Sequence, residues 1–226
     1  MHTTLCRRKW CKVCANIRTS ELVNGYKHLL LDFKEPCLVT VGQKNCKGRE
    51  LKAEYAKMLQ AFQWSRRTIQ RQKGIKLNGI RSWECTYNEK DDEYNPHFHI
   101  VIDGYENAQA FVNHWVSFWT EKRGKNYIST EAQHIERLET SKGLLEAFKY
   151  TTKMDADKPS KARAQDWIYQ CTKGKRLAQP FGSLKRAQIS HDKHITEAYQ
   201  DIDERNEIWA WELTEQAYIS AQGEFL

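Results

Sequence analysis

Apolar residues along this chain change repeatedly between the spacing of helices and the spacing of strands. Intervals of three or four residues predict helices over residues 16–33, 47–72, 108–121, 141–154, 164–171 and 196–221. Short runs rich in β-branched residues predict strands over residues 37–41, 78–87, 96–103 and 132–138. The polar stretch 89–95 reads as a turn, so the second and third strands are expected to form a hairpin.

Strands that alternate with helices but include a hairpin favour an α+β fold, with a central antiparallel sheet and flanking helices. We divide the chain into three parts. Residues 1–34 hold a cysteine cluster and a helix, residues 35–190 form the main domain, and residues 191–226 form an acidic helical extension. A chain of 226 residues is long enough to bury a substantial core.

Charge is distributed unevenly along the sequence. The net charge is +7, but residues 195–226 carry eight acids and one arginine, which leaves +14 on residues 1–194. Such a basic body favours a polyanionic partner, whereas a basic surface that serves only solubility is the alternative. No apolar run reaches membrane-spanning length and no secretion signal is evident, so we expect a cytoplasmic protein.

The segment from Asn95 to Asp103 contains the histidine pair His97 and His99 on a predicted strand. Alternate side chains of a strand share a face, so both imidazoles project together and form half of a divalent-metal site. Hairpin pairing would bring Glu84 beside them as a third ligand. Two histidines and a carboxylate leave coordination positions open, which suits a catalytic metal; a surface histidine pair without a metal is the alternative.

A second group of chemically active residues lies on the predicted helix 141–154. Glu146, Tyr150 and Lys153 are four and three residues apart and therefore share one stripe of the helix. Tyr150 is a poor nucleophile at its ordinary pKa, but a neighbouring ammonium and a polarised phosphate would make attack feasible, with Glu146 as a general base for a second step. An ordinary surface stripe is the alternative.

Seven cysteines without a secretion signal disfavour a disulfide framework. Cys6, Cys11 and Cys14 supply three thiolates, and zinc requires four ligands. His2 is our choice for the fourth ligand, although Cys37 or Cys46 could also reach the cluster. Unligated thiols are the alternative to a structural Zn²⁺.

Together, these motifs resemble the HUH endonuclease superfamily, and specifically its rolling-circle plasmid replication initiators, the Rep proteins. The resemblance rests on the order of the H-x-H strand and the E-x-x-x-Y-x-x-K helix about fifty residues later. The strand 37–41 and the Glu84 strand are similar to the family's first strand and to its third-ligand strand. The C-x4-C-x2-C spacing is similar to a cluster that precedes the catalytic domain, with Lys12 in place of a proline. The match covers about residues 6–190.

The resemblance implies the HUH fold and a single-strand DNA nickase that acts at a hairpin origin with Mn²⁺ or Mg²⁺. His97, His99 and Glu84 would hold the ion, and Tyr150 would form a 5′-phosphotyrosyl link that frees a 3′-hydroxyl primer. Lys153 would steady the phosphate, and Glu146 would activate water for termination. The implied partners are origin DNA and the host helicase and replication proteins.

Two other functions stay open. A single-tyrosine transposase or a relaxase would use the same chemistry, although relaxases usually carry the tyrosine near the N-terminus. A zinc-stabilised DNA-binding regulator without enzymatic activity would use the basic body only for affinity, and it would form no covalent adduct.

Overall fold

The computed structural model describes residues 14, 17, 22, 25, 26, 30, 32–138, 159–184, 209–212 and 217–220. The chain divides into two compact units, Met1–Gln188 and Ile189–Leu226. The described residues of the first unit contain a five-stranded antiparallel sheet and helices, which confirms the predicted α+β fold. Within the described residues, no helix is both long and apolar enough to cross a membrane.

Five strands form the sheet of the first unit. They are β1 (Pro36–Gly42), β2 (Gly79–Asn88), β3 (Glu93–Asp103), β4 (His134–Arg137) and β5 (Ala178–Phe181). Their spatial order is β4-β1-β3-β2-β5, and every neighbouring pair is antiparallel. The predicted hairpin therefore forms the centre of the sheet, with β3 hydrogen-bonded on both sides.

Over the continuous described ranges 32–138 and 159–184, three helices accompany the sheet: α1 (Gly48–Lys73), α2 (Tyr105–Arg123) and α3 (Pro159–Thr172). At the start of α1, the carboxylate of Glu50 accepts a hydrogen bond from the backbone N–H of Lys47 at 3.0 Å. The helix ends at Gly74, whose φ of 69° is left-handed and whose N–H donates to the Gln70 carbonyl. Its buried side chains recur at helical spacing: Leu51, Tyr55, Met58, Phe62 and Ile69.

The helices pack on the face of the sheet that carries Phe98. The ring of Phe98 is fully buried and contacts Phe62 of α1 and Trp115 of α2 with centroid separations of 6.1 and 6.0 Å. Trp115 and Trp119 are also fully buried, as expected for the apolar stripe of α2. These aromatic rings are part of the buried core that stabilises the unit.

Arg81 is a cation inside this aromatic layer. Its side chain is 3% exposed, and its guanidinium lies 4.9 Å from the Phe62 ring centroid and 4.8 Å from that of Phe98. One nitrogen donates to Gln179 Oε1 at 3.1 Å, which joins the paired strands β2 and β5. Burial lowers the pKa of Arg81.

The structure corrects two sequence predictions. Residues 209–212 and 217–220 of the second unit were expected to be helical, but they form strands β6 (Trp209–Glu212) and β7 (Ala217–Ser220), which pair antiparallel. Trp, Tyr and Ile favour strands, and the two-residue spacing of Trp209 and Trp211 is that of one strand face. Strand β5 lies in the basic stretch 173–186, which was expected to be a loop.

Candidate metal centre

The face of the sheet opposite the helices changes from apolar to polar along the strands. Partner residues of β1, β3 and β2 form three rows across it, because directly paired residues share a face. The rows are Leu38, Val101 and Ile80; then Thr40, His99 and Ser82; then Gly42, His97 and Glu84. The candidate site therefore occupies two adjacent rows beside a buried apolar row.

Glu84 is the centre of the cluster. Its Oε2 atom lies 3.1 Å from Nε2 of His97, its direct strand partner, and 2.9 Å from Nε2 of His99. Ligand atoms of these three residues lie within 4.8 Å of one another, and no other such cluster of three occurs in the described residues. The structure thus brings together the three side chains that the hairpin pairing predicts to be neighbours.

The remaining ring nitrogens of both histidines face oxygen atoms. Nδ1 of His97 lies 3.1 Å from the carbonyl oxygen of Asn95, and Nδ1 of His99 lies 3.1 Å from Oγ1 of Thr40. A carbonyl can only accept, so it favours a proton on Nδ1 of His97, and the Thr40 hydroxyl can accept in the same way. A ring with its proton on Nδ1 presents the lone pair of Nε2 to a metal ion, whereas a hydrogen bond to Glu84 requires a proton on Nε2.

The carboxylate of Glu84 is ionised at neutral pH. Burial alone would raise its pKa, but hydrogen bonds with His97 and His99, together with their charge, outweigh burial and lower the pKa to about 2. Glu84 and His99 are each 7% exposed, whereas His97 lies closer to solvent. The cluster is thus shielded on one side and open on the other.

This donor set fits a divalent cation. Two imidazole nitrogens and one ionised carboxylate converge on one point, and both rings have a partner that fixes their orientation. Three protein ligands would leave further coordination positions for water or substrate. The cluster could therefore hold a divalent metal ion.

Sequence reasoning did not single out Thr40 and Asn95 as partners of the histidines. The sequence does contain an indication of the role of Thr40, because Thr40 carries the only hydroxyl in the otherwise apolar predicted strand 37–41. Asn95 contributes through its backbone carbonyl, which no side-chain pattern reveals.

The other predicted site residues fall mostly outside the described part of the chain. Tyr150, Glu146 and Lys153 lie outside it, as do Cys6, Cys11 and His2. Cys14 is described: it is helical and 5% exposed. Their predicted roles therefore stay predictions.

Known proteins provide an independent comparison. A family model, Rep_1, described as a replication protein, matches residues 1–220. A protein named "Protein rep" from Staphylococcus aureus is 29% identical over 166 residues, which cover 67% of this chain and 70% of that protein. "Protein rep" from Streptococcus pneumoniae serotype 2 is 25% identical over 245 aligned residues, with 95% and 75% coverage.

A third relative, "Protein rep" from Bacillus amyloliquefaciens, is 24% identical over 177 residues, and the chain spans only about half of it, 51%. No solved structure matches the chain. Because the family model covers nearly the entire sequence, the chain belongs to the Rep_1 family of replication proteins.

Proposed function

We propose that this protein is a metal-dependent DNA nickase that initiates rolling-circle replication of a plasmid. The observation that carries the proposal is the cluster of Glu84, His97 and His99 in a chain of a replication protein family. A regulator that only binds DNA has no need for a buried carboxylate held between two oriented imidazoles. Origin DNA, extruded as a hairpin with a single-stranded nick site, is the proposed substrate.

The metal centre would act on the scissile phosphate. A divalent cation, Mn²⁺ or Mg²⁺, would polarise the phosphate and stabilise the negative charge that develops on it. Thr40 and Asn95 hold the two histidine rings, so the chain orients its ligands before DNA binds. This preorganisation reduces the reorganisation needed when the reaction begins.

Tyr150 is the proposed nucleophile. Its hydroxyl oxygen would form a bond to phosphorus while the bond from phosphorus to the 3′ oxygen breaks. The phenolic proton would leave to solvent, and the released 3′ oxygen would take up a proton to become the primer hydroxyl. Lys153, one turn along the same helical stripe, would neutralise part of the phosphate charge.

Termination requires a second cleavage, for which we propose Glu146 as general base. It precedes Tyr150 by four residues, so on a helix it would lie beside the nucleophile. A carboxylate there could take a proton from water as the water bonds to phosphorus and the bond from phosphorus to the 3′ oxygen breaks. The freed 3′ hydroxyl would then attack the phosphotyrosyl link and displace the Tyr150 oxygen, so that the protein is released without a second tyrosine.

Two further parts of the proposal concern binding. Cys6, Cys11, Cys14 and His2 would hold a structural Zn²⁺, whose removal by a chelator should lower the thermal stability of the protein. The +14 charge of residues 1–194 would attract the DNA backbone, and the host helicase and replication proteins would extend the primer in the cytoplasm.

Covalent trapping tests the nicking step. The protein is incubated with a labelled single strand from the plasmid origin and Mn²⁺ or Mg²⁺, and the products are separated on a denaturing gel. We expect a slowly migrating protein–DNA adduct that Tyr150→Phe abolishes and that a chelator of divalent ions prevents.

Tyr87→Phe is the matched control, because Tyr87 lies on the face of β2 opposite Glu84 and its hydroxyl contacts Asp92. It should leave the adduct unchanged. An adduct that persists in Tyr150→Phe would contradict the nucleophile, and binding without any adduct would support the regulator instead.

The termination step has a separate test. Glu146→Ala should form the adduct at the normal rate but release the protein from DNA more slowly, by roughly 100-fold for the loss of a general base. Release at the wild-type rate would contradict the role of Glu146 and leave that of Tyr150 intact.

A further inference from the structure

A cleft of about 740 Å³ opens beside the candidate metal centre, with His97 on its wall. One wall is formed by the end of β1 and by residues 43–45, which follow it. The other wall is formed by the segment 125–133, which precedes β4. Its volume is in the range of pockets that hold small molecules or single monomers of a polymer. Because His97 belongs to both, the cleft adjoins the candidate metal centre.

The lining of the cleft is basic and rich in amides. Lys44 and Lys125 provide positive charge, and no carboxylate is present among its lining residues in the described part of the chain. Five lining residues carry side-chain amides, which can both donate and accept hydrogen bonds: Gln43, Asn45, Asn95, Asn126 and Gln133. Cations with amides are the groups that contact phosphates and the edges of bases.

Gln43 is the most informative of these residues. It is only 7% exposed, and its Oε1 accepts a hydrogen bond from the hydroxyl of Tyr127 at 3.3 Å. Its Nε2 is buried and has no hydrogen-bond partner among the described residues. A buried donor without an acceptor is unfavourable because it has given up its bonds to water, so turning the amide towards an acceptor on a ligand in the cleft would relieve that penalty.

The segment opposite Gln43 is fixed in place. Gln133 accepts a hydrogen bond from the backbone N–H of Gly42 at 2.8 Å and donates to the Ser129 carbonyl at 3.1 Å. The Tyr127 ring packs on buried Trp119, with centroids 5.4 Å apart. The cleft therefore exists before any ligand binds, which lowers the entropic cost of binding.

We infer that this cleft binds one nucleotide of the single strand beside the scissile phosphate. Lys44 and Lys125 contact its phosphates, and the Gln43 amide donates to its base and so reads that position of the origin. The inference rests on the proposed nicking function, because it places the strand across the metal centre. It adds a specificity-determining residue that takes no part in the chemistry.

The test measures binding alone, in the full chain carrying Tyr150→Phe and in buffer without added Mn²⁺ or Mg²⁺ or chelator, so that no cleavage occurs and the proposed structural Zn²⁺ stays bound. The probe is a fluorescently labelled strand from the origin, together with a series in which one nucleotide at a time lacks its base. Fluorescence anisotropy gives the affinity. One abasic position should weaken binding about 5- to 150-fold, the range expected when a specific hydrogen-bonded base is removed.

Gln43→Met removes the amide while preserving the length of the side chain. It should weaken binding of the intact strand by a similar factor but add nothing to the effect of that one abasic position, since both changes remove the same interaction. Lys44→Ala with Lys125→Ala should lower affinity for every strand and reduce the slope of log affinity against log salt by about 0.7 for each phosphate that is no longer neutralised. Lys52→Ala with Lys76→Ala, exposed lysines outside the cleft, is the charge-matched control.

Additive effects of Gln43→Met and every abasic position would overturn the assignment of the base contact. Equal losses of affinity in the two lysine pairs would overturn the cleft itself. If the lysine pair matters but no abasic position does, the cleft holds backbone phosphate only and the nucleotide assignment is wrong. These outcomes are independent of the adduct assay, so failure of the nicking proposal would be recognised separately.

Discussion

His97, Phe98 and His99 are consecutive on β3, but they belong to two different surfaces. The histidines meet Glu84 on one face of the sheet, while Phe98 is buried among the rings of α1 and α2 on the other. The first face is held by hydrogen bonds of defined direction, and the second by apolar area without directional preference. Alternate residues of β3 thus belong to the candidate metal centre and to the apolar core.

This difference shows how strictly the register of β3 is fixed. A shift by one residue would bury both histidines under the helices and expose Phe98, so the apolar face selects the register that the metal face needs. We therefore expect stability and metal binding to be separable by mutation, although their residues are adjacent. Three experiments test this separation and a fourth concerns stability alone, in order from the largest expected effect to the smallest.

Phe98→Ala should damage stability the most. Removing a fully buried aromatic side chain typically costs about 3–5 kcal/mol, since it loses burial and leaves a cavity among Phe62 and Trp115. Urea unfolding followed by tryptophan fluorescence measures the loss of stability. The fraction that stays folded should still bind Mn²⁺, and a complete loss of Mn²⁺ binding in folded protein would show that the two faces are coupled.

His99→Ala should have the opposite profile. It removes one of three metal ligands, so Mn²⁺ affinity measured by calorimetry should fall by more than the roughly 10- to 100-fold typical of losing an outer partner. The free energy of unfolding should change much less than in Phe98→Ala. Unchanged Mn²⁺ binding would mean that the ion, if bound, lies elsewhere.

A pair of neighbouring substitutions on β1 sharpens the comparison. Thr40→Val removes the hydroxyl that faces Nδ1 of His99 and should weaken Mn²⁺ binding by about 10- to 100-fold. Val39→Thr places a hydroxyl in the fully buried opposite face and should lower stability by about 1–3 kcal/mol. Calorimetry and urea unfolding of both variants should give reciprocal results, and equal effects of the two on either quantity would contradict the separation.

His114 should show the smallest effect. This histidine of α2 packs on Trp64, and burial first and then the charge of Lys73 lower its pKa from the ordinary 6.5. The unfolded chain therefore takes up the proton first, and stability should fall as pH drops below about 6.5. In His114→Phe this part of the pH dependence should disappear in urea titrations. Above about pH 8 the histidine is neutral in both the folded and the unfolded state, so the difference in unfolding free energy between wild type and His114→Phe should no longer change with pH.

The candidate site could be predicted because it depends on local rules. Strand alternation places His97 and His99 on the same face of one strand. A hairpin with a short turn allows only a few registers, and these place Glu84 close to the two histidines. The observed register, with Glu84 opposite His97, follows from those constraints. The large helices α1 and α2 were predictable for the same reason, because their apolar spacing is continuous.

The features that could not be predicted depend on distant partners. Strand β5 has only four residues, one of them Pro180, and it exists because its residues pair with β2 about a hundred positions earlier. An arginine such as Arg81 is expected at the surface from sequence alone, but its guanidinium packs on aromatic rings from α1 and β3. Gln43 lies in a loop, where no periodicity indicates that its amide is buried.

The position of β3 between β1 and β2 has a consequence for hydrogen exchange. Backbone amides in the middle strand of a sheet exchange with solvent only through the rarest openings, whereas short outer strands such as β4 and β5 open more readily. The amides around His97 and His99 should therefore be among the slowest to exchange. Glu84, His97 and His99 should therefore keep their arrangement while the outer strands of the sheet open.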